Sequence, residues 1–171
     1  GVGPGVKTQS TLEGLPLGKG EMRRRGKEVA LLAFGSMLSP ALQAAEAIDA
    51  SVANMRFIKP IDRDLIVELA REHSLLVSIE ENALIGGAGA EVGRVLEEAG
   101  SLTRFVRMGL PDRFIGHGDQ ARLLADAGLD EAGILRTVQT HRDEVSIHAR
   151  DRAKPHGKGK VSPILDYPPE G

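Results

Sequence analysis

Short apolar runs alternate along this chain with longer segments in which apolar residues recur at helical spacing. The run Val29–Phe34 is almost wholly apolar, which is typical of a strand that is covered on both faces. Further apolar runs predict strands over residues 52–57, 75–79 and 102–108. The pattern therefore predicts a sheet whose successive strands are separated by helices.

The segments between these strands predict helices with one buried face. Pro40 is predicted at the first position of the first helix, with Ser36 or Ser39 as its cap, and Asp62 and Asp130 are predicted to cap later helices. The positions predicted to be buried are Leu42, Ala45, Ala47 and Ile48 in the first helix, Leu65, Ile66, Leu69 and Ala70 in the second, and Val92, Val95, Leu96 and Ala99 in the third.

Strands that alternate with helices are typical of right-handed βαβ crossovers and a mainly parallel sheet. The predicted fold class is therefore α/β, a three-layer sandwich. A short strand near residues 20–24, followed by the turn Arg25-Gly26-Lys27, predicts a hairpin that adds one antiparallel strand to Val29–Phe34. The pattern leaves the order of the strands open.

The two ends of the chain differ from its middle. Residues 1–20 are rich in glycine and predict an extended arm or linker. The folded domain is expected over residues 21–145, with its last two helices over 120–127 and 130–145. Residues 146–171 carry basic side chains among glycines and prolines without an apolar period, which predicts a disordered basic tail.

Composition excludes several functions. The chain has 171 residues, of which 41% are hydrophobic but only 3% aromatic, so its core must be built from aliphatic side chains. A net charge of −2 and few aromatics give no basis for nucleic-acid binding. The absence of cysteine excludes disulfides, thiolate nucleophiles and zinc–thiolate sites. No apolar run approaches the roughly 20 residues of a membrane span and no signal pattern is visible, so we expect a cytoplasmic protein without membrane contact.

The segment Gly87-Ala88-Gly89, between a strand and a helix, has two interpretations. A dinucleotide fingerprint needs a third glycine three places further on, where this chain has Val92, and it needs a shorter loop after Ile79. The favoured alternative is a tight loop whose glycines let the helix begin close to the sheet. The free amides of that helix are expected to hold an anion weakly at most.

Glu80 and Glu81 follow the third apolar run and suggest acid–base chemistry. Neighbours on a strand point to opposite faces, so the two carboxylates cannot act on one bond from a shared site. We favour a structural or interface role, in which one of them binds backbone amides of the glycine loop or contacts a partner.

Asp112, Arg113 and His117 form the strongest polar cluster on a loop. Arginine and histidine suit a phosphate, and Asp112 would orient His117, but no nucleophile is adjacent. The favoured alternative is a loop pinned by an Asp112–Arg113 pair. Phe114 and Ile115 are expected to plug into the core or into a partner.

The remaining cationic side chains suggest little chemistry. His73 is predicted at a helix end, where its charge complements the dipole. Arg56 and Lys59, on either side of Phe57, suit an anion or, more simply, surface or interface pairing. The other histidines, His141, His148 and His156, show no metal spacing.

Several blocks of sequence carry a family resemblance. They are Leu15-Pro16-Leu17-Gly18-Lys19-Gly20, Ala33-Phe34-Gly35, Arg56-Phe57-Ile58-Lys59-Pro60-Ile61-Asp62, Glu80-Glu81-Asn82 with the glycine loop, Gly109-Leu110-Pro111-Asp112-Arg113-Phe114-Ile115 with His117-Gly118, and Gly128-Leu129-Asp130 with Ala132-Gly133-Ile134. In this order, over about residues 1–145, they resemble the C-terminal domain of the 1-deoxy-D-xylulose-5-phosphate synthase family, thiamine-diphosphate enzymes of the transketolase type.

The resemblance implies a role without chemistry of its own. The complete enzymes condense pyruvate with glyceraldehyde 3-phosphate, release carbon dioxide and supply isoprenoid and thiamine precursors. Thiamine diphosphate and Mg²⁺ are bound there by two upstream domains, so no catalytic, cofactor-binding or metal-binding residue is assigned in this chain. Residues 1–20 would be the linker from an upstream domain. The domain would pack on those domains and contribute to a homodimer, and alone it would be inactive.

Two other functions remain open. One is a stand-alone assembly or regulatory subunit of a thiamine-diphosphate-dependent 2-oxoacid enzyme complex. The other is a small nucleotide-binding protein. If the resemblance holds, the face that meets the upstream domains is expected to be unusually apolar, and the isolated domain to self-associate.

Overall fold

The computed structural model describes residues 14–114 and 116–153. The elements are β1 Glu21–Arg24, β2 Val29–Ala33, α1 Leu38–Ile48, β3 Ser51–Asn54, α2 Arg63–Glu72, β4 Leu75–Ala83, α3 Ala88–Glu98, β5 Arg104–Leu110, α4 Gln120–Asp126 and α5 Glu131–Ala153. In these residues, strands and helices alternate from β2 to α4, α5 follows α4 directly, and a 3-10 turn over Gly35–Met37 precedes the first helix.

The five strands form one sheet in the order β1-β3-β2-β4-β5. Strand β2 pairs in parallel with β3 and β4, and β5 pairs in parallel with β4. Helices α1 and α5 cover one face, and α2 and α3 cover the other. The predicted α/β three-layer sandwich is therefore confirmed.

Strand β2 shows why an apolar run predicted a central strand. Val29 and Leu31 pack into the core under α1 and α5, whereas Ala30 and Leu32 pack into the core under α2 and α3. All five residues of the strand are buried. A strand with helices on both faces needs apolar side chains at every position, so its sequence does not alternate.

The predicted antiparallel strand is present, but its partner differs from the predicted one. Strand β1 pairs with β3, through Glu21 with Asn54 and Met22 with Ala53, so the hairpin with β2 is wrong. The crossover through α1 places β3 beside β2 and occupies the edge that a hairpin would need. The connecting turn instead passes the start of β3, where the Gly26 amide donates to Ser51 Oγ over 2.9 Å.

The start of α1 also differs from the prediction. The 3-10 turn precedes the helix, Met37 is its cap residue without a side-chain bond, and Pro40 is its third residue. Neither Ser36 nor Ser39 caps the helix. Its buried residues are Ala41, Ala44 and Ala45; two of the predicted core positions, Ala47 in α1 and Ala99 after α3, are exposed.

The two aspartate caps are confirmed. Asp62 Oδ1 accepts from the Leu65 amide over 3.2 Å, and Asp130 Oδ1 accepts from the Gly133 amide over 2.8 Å. Helix α5 continues to Ala153, so the predicted end near Val145 is too early. The first part of the predicted arm, residues 1–13, and the rest of the predicted tail, 154–171, lie outside the described residues, as does His156 within that tail. In the described ranges, no helix is long and apolar enough to cross a membrane.

Candidate functional site

The carboxyl ends of the parallel strands meet at one edge of the sheet, where α/β proteins commonly bind ligands. The loops after β3, β4 and β5 begin there, and they carry most of the polar residues that the sequence singled out. The contacts of these residues decide whether this edge is a chemical site or a structural one.

Glu80 is buried at the end of β4, with 3% of its surface exposed. Its Oε2 accepts from the Ala88 amide over 2.7 Å, and its Oε1 accepts from the Gly89 amide over 2.8 Å. A carboxylate at a helix N-terminus also interacts favourably with the helix dipole. The predicted binding of loop amides by one glutamate is confirmed. The same contacts occupy the amides that the sequence left free for an anion, so that prediction is wrong.

The two glycines of the loop are required for this contact. A Cβ on Gly87 would lie 2.3 Å from Glu80 Oε2, and one on Gly89 would lie 2.6 Å from Ser78 Oγ. Any side chain at either position would push α3 away from β4. The tight-loop interpretation is therefore confirmed, and the Glu80 carboxylate lies where a dinucleotide fingerprint would place a phosphate.

Glu81 points away from Glu80, as the alternation of a strand requires. Its Oε2 accepts from Ser36 Oγ over 2.5 Å, and its Oε1 accepts from Gln120 Nε2 over 2.7 Å. Glu81 thus joins the 3-10 turn after β2 to the beginning of α4. Ser36, predicted as a helix cap, has this tertiary role instead, which no local sequence signal indicates.

The described residues of the loop after β5 border two surface clefts. Arg113 and His117 line a surface cleft of about 490 Å³ together with Arg122 of α4. In the part of the chain that the structure describes, no ion pair joins Asp112 to Arg113, so the predicted pin is wrong. Asp112 lines a neighbouring cleft instead. The structure therefore does not assemble the three predicted polar residues around one point.

Phe114 in the same loop is fully exposed, so it does not plug into the core. Contact with a partner remains the open alternative for this side chain. Ile115, which was predicted to act with it, lies outside the described residues.

His73 and Arg56, two of the other basic residues that the sequence singled out, have structural partners. His73 ends α2 as predicted and is buried, with Nδ1 2.9 Å from the Leu69 carbonyl oxygen and Nε2 2.8 Å from Ser51 Oγ. Arg56 donates to Glu21 Oε2 over 2.6 Å, so pairing is the interpretation that holds for it. In the described ranges, no three His, Asp or Glu side chains are grouped as metal ligands.

The carboxyl group of Asp62, which lies at this edge, has a shifted pKa. Burial favours its neutral form, but hydrogen bonds from the amides of Gly20 and Leu65 and from Lys19 outweigh this and hold the pKa of the Asp62 carboxyl below its usual value. The carboxylate is therefore charged and fully engaged at neutral pH.

Five of the exposed large apolar side chains lie in segments that enter or leave the sheet at this edge. Gly18 approaches Pro60 so closely that a Cβ would lie 2.6 Å from Pro60 Cγ, and this brings the segment before β1 to the loop after β3. Leu102 is exposed too, but at the opposite edge, before β5. The side chains that form what we call the apolar edge are Leu15, Leu17, Ile58, Ile85 and Phe114. Of these residues the sequence pattern singled out only Phe114. The signal that they share is an apolar residue beside glycine, proline or a charged residue in a loop.

Fold and site together define a helix-covered α/β domain whose buried polar groups at the carboxyl edge hold loops in place. The transketolase C-terminal domain family matches residues 18–134, and the chain belongs to that family.

Curated relatives place it more narrowly. The chain is 62% identical over 139 residues to the 1-deoxy-D-xylulose-5-phosphate synthase of Dechloromonas aromatica, across 81% of this chain and 22% of that protein. It is 58% identical to the synthase of the same name from Azoarcus sp., with the same coverage. The predicted resemblance is thus confirmed, and the chain spans about a fifth of the length of these relatives.

A solved structure supports the fold. A chain titled "Split gene transketolase, inactive beta4 tetramer" superposes with a TM-score of 0.68 at 36% identity, over 74% of this chain and 43% of that chain.

Proposed function

We propose that this chain serves as the C-terminal domain of a 1-deoxy-D-xylulose-5-phosphate synthase and contributes scaffold rather than reactive groups. The observation that carries the proposal is the 62% identity over 139 residues. The family match over residues 18–134 spans all five strands of the sheet. The site geometry agrees with it, because both adjacent carboxylates, Glu80 and Glu81, are fully used in holding loops.

In this proposal the complete cytoplasmic enzyme condenses pyruvate with glyceraldehyde 3-phosphate and releases carbon dioxide. Thiamine diphosphate, held with Mg²⁺, would supply the carbanion chemistry from domains that precede this one. The residues of this chain would orient and support those domains. Acceleration by an enzyme requires a barrier lowered by at least about 8 kcal/mol, so we propose that this chain alone is inactive.

The apolar edge is the surface we assign to contact with the preceding domain. Exposed aromatic and aliphatic side chains that gather on one surface are typical of interfaces. The turn before β1 lies against Pro60 at the same edge, so a domain attached ahead of Gly14 would be tethered beside this surface. A short tether raises the effective concentration of the two surfaces and favours their contact.

The neighbouring solved structure favours one variant of this function. That structure is described as an inactive tetramer of a split-gene transketolase. As the second candidate, this chain would be a separate subunit that joins its cofactor-binding partner without a covalent link. In either form we expect the domain to contribute to a homodimer.

A domain exchange tests the proposal. The matched region of the Dechloromonas aromatica synthase is replaced by this chain, and pyruvate- and glyceraldehyde-3-phosphate-dependent release of carbon dioxide is measured. We expect activity in the fusion and none in this chain alone. A fusion that folds and binds thiamine diphosphate but stays inactive would contradict the proposal. If this chain, added as a separate protein, restored activity to a synthase from which the matched region had been removed, the separate subunit would be supported.

A pair of variants tests the assigned surface. In the fusion, Phe114→Ala should weaken the contact with the preceding domain and lower activity at limiting thiamine diphosphate. Leu102→Ala is the matched control, because Leu102 is equally exposed but lies at the opposite edge. Equal effects of the two substitutions would remove the assignment of the apolar edge.

A further inference from the structure

The Asp62 carboxylate makes more contacts than a helix cap needs. Its Oδ1 accepts from the Leu65 amide over 3.2 Å and from Lys19 Nζ over 3.3 Å. Its Oδ2 accepts from the Gly20 amide over 2.9 Å. The other two aspartate caps, Asp119 and Asp130, each accept from a single backbone amide.

The contact at Gly20 is enclosed rather than superficial. The Asp62 side chain is only 6% exposed. A Cβ on Gly20 would lie 2.7 Å from Leu65 Cδ2 and 3.3 Å from the Asn54 carbonyl oxygen, so a side chain there would displace the tip of Leu65. Lys19 also binds Asp64 Oδ2 over 3.1 Å, which attaches the same segment to the first turn of α2.

We propose that Asp62 is a positioning residue that fixes the direction in which the chain arrives at the domain. One carboxylate begins α2 and holds Lys19 and Gly20, so the segment before β1 cannot swing independently of the helix. Gly18 in this segment lies against Pro60, so the arriving chain is directed along the apolar edge. That this edge contacts a preceding domain rests on the proposed function. The hydrogen bond from the Gly20 amide to Asp62 does not depend on that function.

Backbone amide exchange in this chain tests the proposal directly. In the wild-type protein the Gly20 and Leu65 amides should both exchange slowly, because each donates to the Asp62 carboxylate. Asp62→Ser keeps a good helix cap but has one oxygen, so the Gly20 amide should exchange at least about tenfold faster, as expected for loss of a hydrogen bond to a charged group, while Leu65 stays protected. Trypsin should also cleave after Lys19 faster in this variant.

Asp130→Ser is the matched control, because it alters an aspartate cap that holds no other segment. It should leave exchange at Gly20 and cleavage at Lys19 unchanged. A Gly20 amide that exchanges freely in the wild-type protein, or equally in both variants, would overturn the proposal. The wild-type measurement decides even if Asp62→Ser fails to fold. The amide-exchange experiment uses this chain alone, without cofactor or partner. Its result therefore does not depend on whether the fusion enzyme of the previous subsection is active.

Discussion

Replacing Glu80 should destabilise the domain far more than replacing its neighbour. The Glu80 carboxylate is buried and accepts from two amides at the start of α3. In Glu80→Gln the side chain keeps one acceptor oxygen, but its amide group faces the second N–H, so a donor meets a donor. In Glu80→Ala both amides lose their partner without gaining water.

The expected size follows from these contacts. A hydrogen bond to a charged group contributes about 1.5–3 kcal/mol, and a carboxylate at a helix N-terminus adds about 0.3–1 kcal/mol. We therefore expect Glu80→Gln, which loses one of the two bonds, to lower the free energy of unfolding by about 2–4 kcal/mol, and Glu80→Ala, which loses both, to lower it by about 3–7 kcal/mol. Glu81→Gln should cost about 1 kcal/mol or less, because Glu81 is exposed and its partners can turn to water.

Urea denaturation followed by circular dichroism measures these differences. With a slope of about 2 kcal/mol per molar urea, a loss of 2 kcal/mol lowers the midpoint by about 1 M. The slope itself should stay constant, because the same surface becomes exposed. If the midpoints of Glu80→Gln and Glu81→Gln agreed within error, Glu80 would not be the structural anchor of α3.

Three further outcomes test other parts of the account. Gly87→Ala should lower the free energy of unfolding by about 2 kcal/mol or more, because the added Cβ would lie 2.3 Å from Glu80 Oε2. Gly116→Ala, whose Cβ would have nothing within 4 Å, should change it by no more than about 0.5 kcal/mol. Equal urea midpoints for the two variants would contradict the tight loop. Because the pKa of Asp62 is lowered, its stabilisation is present above the ordinary value of 3.8 and is lost as pH falls through the lower folded value. The stability difference between wild type and Asp62→Asn should therefore shrink on acidification below that value, and a constant difference would refute the linkage. Phe114→Ala should change the free energy of unfolding by no more than about 0.5 kcal/mol, and it should reduce self-association measured by sedimentation. A large loss of stability would instead place Phe114 in a core.

The sequence pattern predicted those features of the fold that depend only on residues close together in the chain. The buried strand β2 and the aspartate caps of α2 and α5 were predictable, because each is determined by residues within a few positions of one another. The amide contacts of Glu80 were also within reach, because the partners Ala88 and Gly89 lie in the adjacent loop.

Contacts between distant segments were not predictable from the pattern. The partner of β1 depends on the α1 crossover, which brings β3 to the edge beside β2. Ser36 binds Glu81, which is 45 residues away, and no spacing rule distinguishes this from a helix cap. The absence of an Asp112–Arg113 pair in the described loop depends on side-chain directions that sequence adjacency does not determine.

Calorimetric titration of the isolated chain with thiamine diphosphate and Mg²⁺ tests the central claim most directly. Because the two buried carboxylates of the described residues, Asp62 and Glu80, are engaged in holding segments of this domain itself, we predict no heat of binding beyond dilution at any accessible concentration. Tight, Mg²⁺-dependent binding with one cofactor per chain would contradict the account and would assign the reactive groups to this domain itself.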